Sequence, residues 1–263
     1  MRRTLFIAWV LCLATVLHAY DKTYAVIVAV ADYKYFSAYD GDLNYTLNDA
    51  RLFYEFLKSR KGGSVPSANI VYLTESNASK ANIIAQAKSL FSRAKKNDRV
   101  IFYYSGHGGS GCFVPYDADS YGNNLLYFSE VKSIFKCTES STKLLFADAC
   151  FSGSMKGFKS KSVQKRLRQE KSSTSHANIA VMMSCQNNET SVEMSSLGQG
   201  VFTYYLMKGL GGAANKDNSQ YVTITELFSY VYRKTRSKAS EIGHKQTPML
   251  FGDFDTRLIV AKP

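Results

Sequence analysis

Five cysteines in 263 residues are too few and too scattered to form a disulfide framework, and no two stand at the spacing of zinc ligands. Cys12 falls in the amino-terminal segment treated below, which leaves Cys112, Cys137, Cys150 and Cys185. Cys112 and Cys137 are candidates for a pair after export, a question on which their separation in sequence decides nothing. Past Leu17 no apolar run is long enough to cross a bilayer, and no internal repeat divides the chain. Acidic residues are in deficit: 21 Asp and Glu face 33 Lys and Arg, a formal net charge of +12. Such a surplus suits nucleic acid or an anionic surface. Seven of the basic residues, however, fall in one stretch, Lys156 to Lys171, beside a single Glu. No nucleic-acid recognition motif accompanies them, so the stretch reads as a solvated loop and no nucleic-acid partner is expected.

Residues 1–19 have the layout of a secretory signal: Arg2 and Arg3, an apolar run from Leu5 to Leu17, and Ala19 as the last residue before cleavage. An uncleaved membrane anchor is the alternative, and this run is short against the ~20 residues that span a bilayer. The expectation is therefore a secreted or periplasmic product without a stable membrane anchor. Its mature chain carries about +10, having lost two arginines. With 45% hydrophobic residues, residues 20–263 are enough for one large core and one domain.

Tyr24 to Ala31 is a β-branched apolar run without alternation, as in a strand buried on both faces. Ala50, Phe53, Tyr54 and Leu57 recur at helical spacing, Asn69 to Leu73 forms a second strand, and Ser79 to Ala94 a second helix. Further on, Ser129 to Phe135 reads as a short helix capped by Ser129, Asn178 to Ser184 as a strand, and Val201 to Leu210 and Thr223 to Tyr232 as helices. Arg257 to Ala261 reads as a closing strand at the sheet edge. This alternation implies an α/β fold, a mostly parallel sheet with helices on both faces.

Two further strands carry the chemistry. Arg99 to Gly109 (RVIFYYSGHGG) runs apolar and then gives Ser-Gly-His-Gly; Leu144 to Gly153 (LLFADACFSG) runs apolar and then gives Asp-Ala-Cys. In open α/β sheets catalytic groups gather where strands end. If the two strands are neighbours, His107 and Cys150 meet at one sheet edge although 43 residues separate them in the chain. A free thiol has a pKa of roughly 8.5, and a neighbouring imidazole is a means of making it a nucleophilic thiolate at neutral pH.

A Cys with a His about 50 residues upstream describes caspases. SGHG with DACFSG resembles the caspase-like cysteine peptidases, most closely the metacaspase and bacterial caspase-domain branch of peptidase family C14. The resemblance covers nearly all of residues 22–252. LNDARLFYEFL (47–57), SCQNNETSVE (184–193), GQGVFTYYLMKGL (198–210), VTITEL (222–227) and KQTP (245–248) look like metacaspase-type sequence in the right order. It implies a six-stranded caspase-like sheet divided into a large portion (20–155), a basic linker (156–176) and a small portion (177–263). It also implies a His107/Cys150 dyad and an oxyanion hole from the backbone N–H groups of Gly108 and Cys150.

Metacaspase-like enzymes bind an Arg or Lys substrate side chain at positions matching Asp49, Ser105 and Asp148, and all three are present. The expected partners are thus protein or peptide substrates with a basic residue before the scissile bond (P1). Replacing Asp148 by Ala is expected to cost that preference and little stability. Many metacaspases need calcium held by several aspartates, one shortly after the catalytic Cys. Residues 151–157 contain no acid, and Asp117 and Asp119 are fewer ligands than calcium collects. No metal and no other cofactor is therefore expected.

The linker, rich in Lys, Arg, Ser and Gln, is expected to be mobile. Tethered beside a pocket for basic residues, it is a substrate at high effective concentration. Self-cleavage is expected after one or more of Lys156, Lys159, Lys161, Lys165, Arg166, Arg168 and Lys171. A catalytically silent caspase-like binding module is the competing class, although both dyad residues are intact. A peptide ligase or transpeptidase would use the same dyad, and the residues do not separate it from a hydrolase. The oligomeric state is not legible.

Overall fold

The computed structural model describes residues 20–36, 43–109, 111–149, 162–163, 165–166, 169, 178–186, 188–217 and 219–263. In chain order its elements are β1 (Thr23–Ala29), α1 (Thr46–Lys58), β2 (Ile70–Thr74), α2 (Lys80–Phe91), β3 (Arg99–Ser105), β4 (Gly108–Gly109), β5 (Cys112–Phe113), β6 (Leu126–Tyr127), α3 (Phe128–Phe135), β7 (Thr142–Asp148), β8 (Ala180–Met183), β9 (Glu193–Met194), β10 (Gln199–Gly200), α4 (Val201–Lys208), β11 (Val222–Thr223), α5 (Ile224–Ser240), β12 (Met249–Phe251) and β13 (Ile259–Ala261).

Six strands form the central sheet in the order β12-β8-β7-β3-β1-β2. Five run parallel, and β12 lies antiparallel to β8 at the edge. The unbroken apolar runs follow from burial on both faces, since successive side chains alternate between them. Val26 and Val28 of β1, Phe102 of β3 and Leu145 of β7 pack with Ile83 and Ala87 of α2 and Val131 of α3. Ile27, Tyr103 and Phe146, one step along, pack on the other face with Phe53 of α1, Phe202 and Leu206 of α4 and Leu227 of α5. Helices thus cover both faces, as the alternation predicts.

Several boundaries differ from expectation. Ile259–Ala261 does not close the main sheet but pairs antiparallel with β11 in a two-stranded sheet of its own. The edge position goes to β12, whose Met249 stands opposite Met183. Helix α3 is capped at Tyr127 rather than Ser129, because the Glu130 carboxylate accepts the Tyr127 backbone N–H at 2.9 Å. Helix α5 continues past Tyr232 to Ser240: Thr235 and Ala239 extend the buried stripe of Ile224, Leu227 and Val231, while Arg233 and Lys234 fall on the exposed side. Within the linker expected to be loose, Val163 rests against Gly122 and joins the core cluster. The Arg166 guanidinium lies 3.7 Å over the Tyr127 ring. Cys112 is buried and Cys137 exposed, and no disulfide joins the two. Among the described residues no helix is long and apolar enough to cross a membrane.

At the amino end of β3, Arg99 is buried. It donates from Nε to Thr23 Oγ1 (3.2 Å) and from Nη1 to the Val260 carbonyl, with the Tyr20 ring 3.9 Å from the guanidinium. Burial pulls its pKa below the ordinary arginine value. The side chain ties β1 and β13 to β3 at the cost of a desolvated charge. Arg99→Ala is expected to lower stability by about 3 kcal/mol through the void it leaves. Arg99→Met, which keeps the volume and removes the charge, should cost under about 1.5 kcal/mol. Urea denaturation of both variants checks the order.

Candidate active site

Ser105, the last residue of β3, is paired in register with Asp148, the last of β7. The Gly106 N–H then donates to the Asp148 carbonyl at 3.1 Å. The SGHG and DAC segments therefore leave one edge of the sheet side by side. His107 follows Ser105 by two positions, as Cys150 follows Asp148; Cys150 lies outside the described residues. Ala149, just before it, is fastened from the neighbouring strand: its N–H donates to Ser184 Oγ, and that hydroxyl donates to the Ala149 carbonyl, both at 3.1 Å.

Two tyrosines set the His107 loop. The His107 backbone N–H donates to Tyr33 Oη (2.6 Å), and Tyr104 Oη donates to the His107 carbonyl (2.9 Å). Gly106 passes between them at φ 155°, and a Cβ there would stand 2.9 Å from both hydroxyl oxygens. The glycine before the histidine is thus a requirement of space as well as of backbone conformation. The loop continues into β4, where Gly108 pairs with Phe113.

Beside His107 is a small open pocket lined by Asp49, Ser105, Asp148 and Ala149 together with Ser191, Glu193 and Gly200. Side-chain alternation along β3 and β7 explains the convergence. Ser105 follows Ile101 and Tyr103, and Asp148 follows Leu144 and Phe146, so both point to the sheet face covered by α1 and α4. Asp49 reaches the cavity from the first turn of α1. The three positions separated in sequence as pocket candidates are thus brought together.

Asp148 is buried and well supplied with donors. Oδ1 accepts from Ser191 Oγ, and Oδ2 accepts from the Thr203 N–H (3.2 Å) and Thr203 Oγ1 (2.8 Å). Burial raises its pKa, and these hydrogen bonds pull the other way. Asp49 has less support. Its carboxylate accepts the Gly200 N–H at 3.1 and 3.2 Å. Burial first, and then the charge of Asp148, holds its carboxyl well above the usual carboxylate range. Gly200 lies between the two acids: a Cβ there would meet Asp148 Oδ2 at 2.5 Å and Asp49 Oδ2 at 2.9 Å. Among the described residues lining the cavity there is no Lys or Arg, and the one imidazole is that of His107.

Supporting residues that sequence reasoning passed over are now visible. Glu193 lines the cavity, and its carboxylate accepts the N–H groups of Asn44 (3.0 Å) and Tyr45 (2.9 Å) ahead of α1. The buried Gln246 amide donates to Ser191 Oγ and to the Ser184 carbonyl, both at 3.1 Å, linking the Asp148 support to the Ala149 support. Ser184 directly follows β8, where the rule that functional groups follow strand ends applies, whereas Ser191 and Glu193 come later, Glu193 within β9. Nothing local pointed to Tyr33. Asp148→Ala, expected to cost little stability, would leave the buried Thr203 N–H unpaired, a penalty of about 1–3 kcal/mol.

Asp117 and Asp119 are already hydrogen-bonded, Asp117 to the start of α2 and Asp119 within its own loop. Asp117 accepts the Lys80 N–H (2.8 Å), and Asp119 accepts from the Tyr121 and Asn123 backbones and the Asn123 amide. Among the described residues no group of three or more His, Cys, Asp or Glu side chains stands close enough to hold a metal ion. Of the linker's basic residues, Lys165 and Arg166 are exposed. Lys156, Lys159, Lys161, Arg168 and Lys171 lie outside the described residues.

The family model of the caspase domain matches residues 22–259. The chain belongs to the caspase-domain peptidases. A probable protease of a Desulfuromonadales bacterium is 24% identical over 260 residues, a match that takes in 87% of this chain and 31% of that protein. Metacaspase-1A of Aspergillus oryzae is 33% identical over 93 residues, 33% of this chain and 22% of the metacaspase. The chain thus spans a third or less of the length of these curated relatives. A crystal structure of a Geobacter sulfurreducens protein superimposes with a TM-score of 0.62 at 16% identity, covering 92% of this chain and 98% of that one; the likeness is one of fold. In this caspase domain the matched region takes in both strand ends and every residue of the acidic cavity.

The unequal support of the two acids has a consequence for stability. Asp49 has a folded-state pKa raised above its unfolded value, so its contribution to stability is fully present below the unfolded value. It is lost as pH rises through the folded one. Asp49→Asn keeps an acceptor for Gly200 without the charge. Its melting temperature is expected to match wild type near pH 4 and to equal or exceed it at pH 7.5. Thermal melts across that range check the crossing; a variant less stable only at neutral pH contradicts it.

Proposed function

We propose that this caspase domain is an exported cysteine endopeptidase that uses His107 and Cys150 to cleave peptide bonds after Arg or Lys. The observation that carries the specificity is the cavity beside His107. Asp49, Asp148 and Glu193 line it with no Lys or Arg among the described lining residues, and burial together with the charge of Asp148 raises the Asp49 pKa. An arriving guanidinium or ammonium supplies the missing charge in a desolvated site, where charge-assisted hydrogen bonds are strong. The paired strand ends support the dyad, since His107 and the residue before Cys150 leave the sheet side by side.

In this reading His107 takes the Cys150 proton, and the thiolate attacks the carbonyl carbon of the scissile bond. The N–H groups of Gly108 and Cys150 receive the developing oxyanion. The intermediate collapses by breaking the C–N bond as His107 protonates the departing amine, leaving a thioester. Water, activated by the same imidazole, releases the acid and restores the thiol. No metal or other cofactor enters these steps. Residues 1–19, proposed as the export signal, lie outside the described residues.

A panel of fluorogenic peptides differing only at P1 tests the assignment. Turnover is expected for Arg and Lys. It should fall to background in Cys150→Ala and by about a hundredfold or more in His107→Ala. Turnover retained by Cys150→Ala, or equal cleavage after Arg, Asp and Leu, would sink the reading.

Self-processing in residues 156–171 is part of the proposal. Arg166, stacked on Tyr127, has to leave that ring before it can enter the cavity, so cleavage at the other basic positions should come first. Intact-mass measurement of wild type and Cys150→Ala after identical expression decides it. Two associated pieces are expected from wild type and one chain from the variant; identical masses count against self-cleavage.

A further inference from the structure

We infer that Tyr33 is a positioning residue for His107, whose ring favours the imidazolium form and so stabilises the thiolate–imidazolium pair. The inference rests on the proposed His107/Cys150 dyad. The Tyr33 and His107 rings lie with centroids 5.0 Å apart and planes 34° from parallel. At that separation and tilt the rings stand closer to stacked than to edge-on, an arrangement in which the tyrosine's π face, the negative part of its quadrupole, is within reach of the imidazole. A cation there is attracted, whereas a neutral ring gains much less. Tyr33 is only 2% exposed and His107 is half-buried, so the contact is partly shielded from water.

The fold goes to some length to hold this tyrosine. Ala29 of β1 is in register with Ser105 of β3, and the Val30 N–H donates to the Ser105 carbonyl at 3.1 Å, which sets the chain after β1 beside the His107 loop. The Glu75 carboxylate accepts the N–H groups of Ala31 (3.0 Å) and Asp32 (3.2 Å), and the Lys34 N–H donates to the Tyr116 carbonyl (3.1 Å). Phe36 meets the Tyr33 ring edge-on at 6.1 Å. With both sides pinned, the hydroxyl fixes the histidine backbone and the ring fixes the imidazole plane. Asp49, Asp148 and Glu193 share the cavity with His107 and also favour a cation. Tyr104 touches its backbone through the carbonyl. None of these groups is altered in the variants below.

The test reads the thiolate directly. Alkylation of Cys150 by iodoacetamide is followed by peptide mass mapping from acid to alkaline pH, with the exposed Cys137 as internal reference. A thiolate kept by an imidazolium reacts at acid pH, and His107→Ala should lose that limb. Tyr33→Phe keeps the ring but loses the hydroxyl that accepts the His107 N–H, and is expected to shift the profile less than removal of the ring does. Tyr33→Leu should move the acid limb up by about one pH unit, tenfold in proton concentration. If Tyr33→Leu does not fold, pentafluorophenylalanine at position 33 keeps the shape and reverses the quadrupole, and the same shift is expected relative to Tyr33→Phe. A ring-altered variant matching wild type, or Tyr33→Phe shifting as far as the ring-altered variant, overturns the inference while leaving the dyad standing. A profile identical in wild type and His107→Ala overturns the dyad itself, and the inference with it.

Discussion

The pairing of Ser105 with Asp148 is the constraint from which the rest of the site follows. Strands β3 and β7 meet in register along their whole length, and both carry apolar side chains on both faces. A slip by one residue would exchange the faces of an entire strand. Phe102 and Tyr103 fill different cores, one against α2 and α3 and the other against α1. Volume and shape therefore hold the register. Once held, it sends Ser105 and Asp148 to one face and releases the SGHG and DAC segments together.

The acidic cavity is an arrangement made against stability. Two carboxylates flank Gly200 with no Lys or Arg among the described residues lining the cavity, and burial drives both upward in pKa. The cost is distributed unequally. Asp148 is held by Ser191 and Thr203, and behind these by Gln246 and Tyr103, whose hydroxyl lies 2.7 Å from Thr203 Oγ1. Asp49 has the Gly200 N–H and little else. A fold needing only cohesion would place apolar groups here, and perturbed, desolvated acids in a cleft are a sign of binding chemistry. The tyrosine beside His107 extends the same pattern: much of the surrounding structure sets electrostatic states as well as positions.

The differences between expectation and structure share a cause. Residues 259–261 have strand composition, but composition cannot say which strand will accept them. β11 and the Arg99 side chain take them at one end of the sheet, and β12 occupies the edge. Helix α5 outruns its expected end because charges near a terminus resemble a stop, whereas the buried stripe through Thr235 and Ala239 shows the helix continuing. Val163 and Arg166 sit in a stretch whose composition argues for looseness. Their partners, Gly122 and Tyr127, lie roughly forty residues earlier in the chain and do not figure in that composition.

Periodicity and strand-end motifs made much of this protein legible. Unbroken apolar runs require burial on both faces, so helices above and below a mostly parallel sheet followed from the residues alone. His107 and Asp148 were legible as polar residues where a strand gives way to a loop, and Asp49 and Ser105 through the resemblance of their segments to metacaspase-type sequence. Tertiary structure alone decided what stands around them. Tyr33 against the imidazole, Glu193 in the cavity, Ser184 clasping Ala149 and Gln246 joining the two halves are contacts between residues far apart in sequence. Each is chosen by the sheet order and the register of neighbouring strands. Local patterns determine which way a side chain faces, and only the packing of the whole chain determines what it faces.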